Sequence, residues 1–161
     1  MRGAPLLLAC LLLASGCLGQ GGGSALVGKP VPSFSLVTSE GQRVNESTWL
    51  GRYVVLDLMA TWCAPCRVEV GHLQAVQRTY GDRVAILSID VDPTESSAEL
   101  DQFAQEHNAT WPHAFDFDGR VGRSIGLGIP TLVIVDPTGK VAYQHEGEVT
   151  PEEIGRVVGP A

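Results

Sequence analysis

Two cysteines separated by two residues, in the sequence Cys63-Ala64-Pro65-Cys66, are the residues of this chain best suited to do chemistry. Apolar residues follow Cys66 at helical spacing, so we expect the pair to lie at the start of a helix. The unpaired backbone N–H groups of a helix start favour a negatively charged sulfur at the first position. We therefore predict that Cys63 is an exposed thiolate nucleophile. Cys66, one turn further in, would resolve a mixed disulfide by attacking Cys63.

Two carboxylic acids stand near this pair in the sequence. Asp57 interrupts the apolar run Tyr53–Met59, which has the composition of a strand buried on both faces. A carboxyl group in such a setting has a raised pKa and can accept the Cys66 proton near neutral pH. Glu69, three residues after Cys66, has two interpretations: a second acid beside the pair, or a solvated residue of the helix surface that pairs with an arginine.

The N-terminal segment has the pattern of an export signal. Leu6–Ala14 is an apolar run of the length of a signal-peptide core, too short to span a bilayer. The sequence Ala14-Ser15-Gly16-Cys17 follows and resembles the lipobox of bacterial lipoproteins. We expect residues 1–16 to be a signal peptide and residues 17–26 to be a lipidated Cys17 with a flexible Gly-rich tether. An ordinary secretory signal and an uncleaved membrane anchor are the alternatives.

Composition narrows the classes of function. The 161 residues, 44% of them hydrophobic, suffice for one folded domain, which we expect over residues 27–161. A formal net charge of −7 argues against nucleic acid as a partner. If Cys10 leaves with the signal and Cys17 carries lipid, Cys63 and Cys66 are the cysteines that remain. One close pair is too few cysteines for a domain stabilised by structural disulfides. Without further ligands the pair does not form a zinc site, so we expect no metal and no cofactor.

The rest of the chain alternates strand and helix patterns. The unit Tyr53–Val91 reads as strand, helix, strand, which implies parallel strands joined by a right-handed crossover. We expect an N-terminal hairpin around Glu40-Gly41, and a second hairpin around Pro137-Thr138-Gly139 that closes the sheet. Other predicted strands are Trp111–Phe115, Thr131–Asp136 and Val141–His145, and other predicted helices run from Asp92-Pro93-Thr94 to about Asn108, over Arg120–Ile125, and from Thr150 to near Gly159.

Three segments in this order resemble the thioredoxin superfamily, in particular its extracytoplasmic TlpA/ResA-like branch. They are Val27-Gly28-Lys29-Pro30-Val31-Pro32-Ser33-Phe34, Ala60-Thr61-Trp62-Cys63-Ala64-Pro65-Cys66-Arg67 and Gly128-Ile129-Pro130-Thr131. The resemblance spans about Val27 to Val158. It implies a thioredoxin-like α/β fold, with a central mixed β-sheet flanked by helices, an N-terminal β-hairpin and a central insertion at roughly 92–120.

The resemblance also assigns roles to individual residues. Pro130 matches the cis-proline of the family, and Ile129 before it would offer backbone groups to a bound peptide. Asp57 matches the buried acid of ordinary thioredoxins, and Glu69 matches an acid characteristic of the TlpA/ResA-like branch, so this chain carries both. The residues expected to contact a substrate are Trp62, Ala64, Pro65, Ile129 and Pro130.

We expect an extracytoplasmic thiol-disulfide oxidoreductase, lipid-anchored to the membrane and acting as a monomer. The resemblance implies that it reduces disulfides of exported cysteine-containing proteins, for example in cytochrome c maturation, and is re-reduced by a thiol electron donor in the membrane. A disulfide-forming oxidase would use the same two cysteines, and a Cu(I) metallochaperone would use them as two thiolate ligands. A peroxidase fits less well, because Thr61-Trp62-Cys63 lacks the residues that usually precede a peroxidatic cysteine.

Overall fold

The computed structural model describes residues 26–126 and 128–161. The predicted signal peptide, the lipidation site Cys17 and the tether up to residue 25 lie outside the described residues. Within the described ranges, no helix combines the length and the apolar character needed to cross a membrane.

Seven strands and four α-helices follow one another along the described chain. The strands are β1 (Ser35–Val37), β2 (Arg43–Asn45), β3 (Tyr53–Met59), β4 (Val84–Asp90), β5 (His113–Phe115), β6 (Thr131–Val135) and β7 (Val141–Glu146). The helices are α1 (Ala64–Tyr80), α2 (Ser97–Glu106), α3 (Arg120–Ile125) and α4 (Pro151–Val158), and a short 3₁₀ turn, Gly81–Arg83, joins α1 to β4.

The main sheet has five strands in the order β5-β4-β3-β6-β7. Strands β3, β4 and β5 are parallel, whereas β6 is antiparallel to β3, and β7 is antiparallel to β6. Strands β1 and β2 form a separate antiparallel hairpin. The mixed sheet, the N-terminal hairpin and the parallel unit predicted from the sequence are therefore confirmed.

The two faces of the sheet carry different layers. On one face, Val55 and Met59 of β3 pack in a core with residues of α1, α2 and α4. On the other face, Leu56 and Leu58 pack with the N-terminal hairpin and α3. Because side chains alternate along a strand, Asp57 lies on the same face as Val55 and Met59, beneath α1.

Strand direction gathers four segments at one edge of the sheet. The carboxyl ends of the parallel strands β3, β4 and β5 lie there, since Met59 pairs with Asp90, and Asp90 pairs with Phe115. Strand β6 runs the opposite way, so its first residue, Thr131, pairs with Leu58. The loops that follow β3 and β4 and the segment that precedes β6 are thus neighbours.

The helix of the insertion starts later than predicted. Asp92-Pro93-Thr94 was expected to begin it, but the helix begins at Ser97. The Asp92 carboxylate accepts the Thr94 N–H at 2.8 Å and closes a turn. Ser96 and Glu99 then form a capping box, which is the stronger start signal.

A second capping box starts α4 and fixes the residues just before it. The Thr150 hydroxyl accepts the Glu153 N–H at 3.3 Å, and the Glu153 carboxylate accepts the Thr150 N–H at 2.8 Å. Buried Val149 immediately precedes this cap, and its N–H donates to Glu69 of α1 at 2.8 Å. The cap of α4 therefore helps to hold a backbone donor against α1.

We predict that Thr150→Ala lowers the free energy of unfolding by about 1 kcal/mol, because it removes the acceptor of a helix N-cap. Urea denaturation of the oxidised protein measures this change. Ser35→Ala, at an exposed strand position, is the control and should change stability by less than about 0.5 kcal/mol. Equal effects of the two substitutions would contradict the prediction.

Candidate active site

Cys63 and Cys66 lie at the start of α1, as their spacing indicates. Cys63 is the N-cap residue of the helix, and Cys66 lies in its first turn. The two sulfurs form a disulfide with the Cα atoms 5.2 Å apart. The Cys66 N–H donates to the Cys63 sulfur at 3.2 Å. In the dithiol form, the backbone N–H groups at the start of α1 and the helix dipole favour a thiolate at Cys63.

Cys63 is less accessible than the sequence indicated. It is 3% exposed in the disulfide form, and Cys66 is 1% exposed. The expectation of an exposed Cys63 is wrong for this disulfide form, because Cys63 packs with Cys66 in the core on that face of the sheet. A substrate must therefore approach through the residues that surround Cys63 rather than meet a protruding side chain.

Asp57 lies on β3 beneath α1 and is 1% exposed. The Ser88 hydroxyl donates to Asp57 Oδ2 at 2.7 Å, whereas Oδ1 has no hydrogen-bond partner. Burial raises the pKa of Asp57 to about 6, and the bond from Ser88 opposes that rise. The Trp111 indole N–H in turn donates to the Ser88 oxygen at 2.9 Å, which leaves the Ser88 proton free to point at Asp57.

Glu69 is fully buried on the inner side of α1, at 0% exposure. The interpretation as a solvated residue of the helix surface is therefore wrong. Its Oε2 accepts the Val149 N–H, and its Oε1 has no partner. Burial raises the pKa of Glu69 to about 8; the Val149 bond opposes this rise, and the charge of Asp57 adds to it.

The two acids thus share one buried layer, between the sheet and α1, with Cys66. Glu69 stands one helical turn after Cys66, on the same face of the helix. Asp57 faces that helix from the sheet and raises the pKa of Glu69 by its charge. Two carboxyl groups of different acidity therefore lie in the same buried layer as Cys66, whose thiol must lose its proton during exchange.

The predicted substrate-contacting residues surround the pair in the structure. Trp62 is 60% exposed, and Ala64 and Pro65 are exposed in the first turn of α1. The Ile129–Pro130 peptide bond is cis, with Ile129 half-buried and Pro130 buried. The register of β6 on β3 places this bond at the same sheet edge as the loop that carries Cys63.

Several polar residues at the site were missed by the sequence reasoning. Ser88, Asp90, Asp92 and Glu95 belong to β4 and the loop after it, next to the loop that holds the cysteines. Asp90 is fully buried. The pattern that identified Asp57, a carboxylate within an apolar strand, could have identified Asp90 as well. The contacts of Asp92 and Glu95 depend on tertiary structure, so the spacing of residues in the sequence does not predict them.

In the described part of the chain, no three His, Cys, Asp or Glu side chains group closely enough to hold a metal ion. The chemistry that this site can perform with its own residues is transfer of two electrons through the Cys63–Cys66 bond. The proton that accompanies the Cys66 thiol can pass to a buried carboxyl group.

A mixed sheet with this strand order, a disulfide across a CxxC at a helix start and buried acids beneath it define a thioredoxin-like thiol-disulfide oxidoreductase. The chain belongs to the AhpC/TSA family, whose pattern matches residues 27–144.

Named relatives agree with this assignment. The "Thiol-disulfide oxidoreductase ResA" of Geobacillus thermodenitrificans is 31% identical over 130 residues, which are 80% of this chain and 74% of that protein. The "Thiol:disulfide interchange protein DsbE" of Escherichia coli is 32% identical over 132 residues, 80% of this chain and 69% of that protein. Among solved structures, a DsbE-type interchange protein from Chlorobium tepidum superposes with a TM-score of 0.72 at 28% identity, covering 81% of this chain and 96% of its own.

The raised pKa values predict a stability that falls with rising pH. The unfolded chain releases the Asp57 proton near 3.8 and the Glu69 proton near 4.5, whereas the folded protein keeps them to about 6 and about 8. The free energy of unfolding of the oxidised protein should therefore decrease across these two windows and level off above them. Urea denaturation at a series of pH values measures this.

Asp57→Asn should flatten the window between about 4 and 6 and stabilise the protein at pH 7 by up to about 3 kcal/mol, the equivalent of about two pKa units. Glu69→Gln should make the fall in the higher window shallower without abolishing it, because buried Asp90 also has a raised pKa and loses its proton there. Glu106→Gln, which removes an exposed acid of α2, should follow the wild-type curve. A wild-type stability that rises between pH 4.5 and 8 would refute this account.

Proposed function

We propose that this oxidoreductase reduces disulfide bonds in exported, cysteine-containing proteins. The observation that carries the proposal is the helix-capping Cys63–Cys66 pair above two buried acids of unequal pKa. This arrangement suits a cycle in which the resolving thiol must be deprotonated and the departing thiolate reprotonated. The relatives named as ResA and DsbE thiol-disulfide oxidoreductases support it.

The reductive cycle has two exchange steps. The Cys63 thiolate attacks one sulfur of the substrate disulfide, that bond breaks, and the released substrate thiolate takes a proton. Cys66 then loses its proton and attacks the Cys63 sulfur of the mixed disulfide. The second substrate thiolate departs and is protonated. Two electrons have passed to the substrate, and the Cys63–Cys66 disulfide remains for a donor to reduce.

The two acids take different roles near neutral pH. Asp57, whose pKa is raised to about 6, is mostly ionised at pH 7 and can accept the Cys66 proton. Glu69, whose pKa is raised to about 8, is mostly protonated and can supply a proton to a thiolate. The pKa of each group thus lies close enough to pH 7 for the group to gain or lose a proton at a small cost in free energy.

Substrate docking in this proposal uses the exposed surroundings of the buried pair. Trp62, Ala64 and Pro65 present the outer rim, and Ile129 next to the cis bond offers backbone groups to an extended peptide. A peptide held there would place its disulfide over Cys63, so the low exposure of that sulfur favours docked protein substrates.

The cellular setting is also part of the proposal. The apolar run Leu6–Ala14 followed by Cys17 supports export and a lipid anchor that leaves the domain outside the cytoplasm. A membrane thiol protein would then return electrons to the Cys63–Cys66 disulfide, and the protein would act as a monomer. Apocytochrome c is one exported substrate of the required kind.

The reduction potential of the Cys63/Cys66 couple tests the direction of electron flow. We expect a value near or below about −230 mV, on the thioredoxin side of the glutaredoxins. Equilibration of residues 27–161 with glutathione or dithiothreitol buffers, followed by thiol alkylation, measures it. A potential near about −120 mV would indicate a disulfide-forming oxidase instead. Absence of a reversible disulfide together with stoichiometric Cu(I) binding would favour a metallochaperone.

Separate cysteine substitutions test the order of the two steps. Cys66→Ser should trap a mixed disulfide between Cys63 and a protein substrate such as insulin, because no thiol remains to resolve it. Cys63→Ser should form no such complex under the same conditions. Non-reducing gels and mass spectrometry detect the adduct, and trapping through Cys66 instead would reverse the assigned roles.

A further inference from the structure

Two acids of the central insertion contact the loop that precedes the nucleophile. The Glu95 carboxylate accepts the Thr61 N–H at 2.9 Å through Oε2, and the Thr61 hydroxyl through Oε1. The Asp92 carboxylate accepts the Trp62 indole N–H at 2.7 Å. We call Asp92 and Glu95 the carboxyl clamp, because together they hold the two residues directly before Cys63.

The clamp is itself held rigidly. Asp92 Oδ1 accepts the Thr94 N–H at 2.8 Å and the Thr94 hydroxyl at 2.7 Å, which leaves Oδ2 directed at Trp62. Buried Asp90 accepts the Asp92 N–H at 2.9 Å. The Arg67 guanidinium also donates to the Thr61 carbonyl, at 3.1 Å.

Asp90 does not weaken the clamp by like-charge repulsion. Burial and the neighbouring Glu95 carboxyl raise the pKa of Asp90 to about 8, so it is mostly neutral at pH 7.

Trp62 shows what the clamp achieves. Its side chain is 60% exposed, and exposed side chains of this size normally sample several rotamers. A bond of 2.7 Å from its indole N–H to a fixed carboxylate selects one orientation and leaves the ring surface open to solvent. An aromatic surface held in one orientation before binding loses less entropy when a partner docks.

We propose that Asp92 and Glu95 are positioning residues that fix Trp62 in the orientation in which it docks protein substrates. This inference rests on the proposed reduction of protein disulfides. It makes the insertion a determinant of substrate affinity, whereas the electron chemistry stays with the cysteines and the acids beneath them.

Asp92→Asn tests the inference selectively. The amide oxygen can keep both bonds from Thr94, but the amide NH₂ then faces the indole N–H, and two donors cannot bond. We expect kcat/KM for insulin reduction to fall about five- to tenfold, mainly through KM, in line with losing one hydrogen bond and an ordered side chain. Turnover of a small aromatic disulfide, dithiobis(nitrobenzoate), should change less than about twofold, since it does not need the docking surface.

Indole N–H resonances in nitrogen-edited NMR spectra provide an independent readout. The Trp62 signal is assigned by its loss in Trp62→Phe, and Asp92→Asn should move it upfield. In the Trp62→Phe background, Asp92→Asn should have no further effect on KM, as a double-mutant cycle requires. Glu95→Ala should raise KM, and Glu95→Gln, which can still accept the Thr61 N–H, should restore it.

Glu106→Gln is the matched control, because it removes one exposed acid from the same insertion without touching the clamp. An unchanged insulin KM in Asp92→Asn, or equal losses with insulin and the small disulfide, would overturn the inference. An unmoved Trp62 resonance would overturn it as well. If the wild type reduced the small disulfide but not insulin, the proposed function would fail, and this inference with it.

Discussion

The cost of burying a carboxyl group next to a thiol pair is the constraint on which this structure depends. Asp57 and Glu69 are both removed from water, each has one oxygen without a partner, and each has a raised pKa for that reason. A fold selected only for stability would place apolar side chains there. The parallel strands, the capped start of α1 and the cap of α4 hold the acids, because a looser layer would admit water and return both pKa values to their ordinary range.

Each of the two acids accepts one hydrogen bond that lowers its pKa, but nearby carboxylates raise the pKa of Glu69 further. Ser88 gives Asp57 a hydroxyl proton whose direction is set by Trp111, whereas Glu69 receives a backbone N–H from Val149. Asp57 also acts on Glu69 by its charge, so ionisation of the first acid favours protonation of the second. The two acids therefore release their protons at different pH values, and the charge of Asp57 contributes to that difference.

Local patterns in the sequence were enough for the elements and the central chemistry. The apolar run with one acid located β3, and the CxxC spacing located the start of α1. The Thr-Pro-Glu-Glu sequence located α4 and its cap. The accessibility of Cys63 could not be predicted in this way, since it depends on a disulfide bond that forms only after folding. The start of α2 was predictable, because Ser96 and Glu99 carry the capping-box pattern, but Asp92-Pro93-Thr94 was preferred to it. Glu69 shows the limit most clearly: a helical position gives its angle around α1, but only the packing of α4 determines whether that angle meets water.

The separation of the sheet into two faces has a consequence for how such a protein can diversify. One face of the sheet holds Asp57 and Glu69, and the loops at the sheet edge hold the residues that surround the cysteines. The hairpin and α3 cover the other face with an apolar core of their own. Changes in the edge loops can alter which partners are accepted while the acid layer keeps its electrostatics. The residues of the edge loops and the two acids thus belong to different elements, so a substitution in a loop can change which partner docks and leave Asp57 and Glu69 in place.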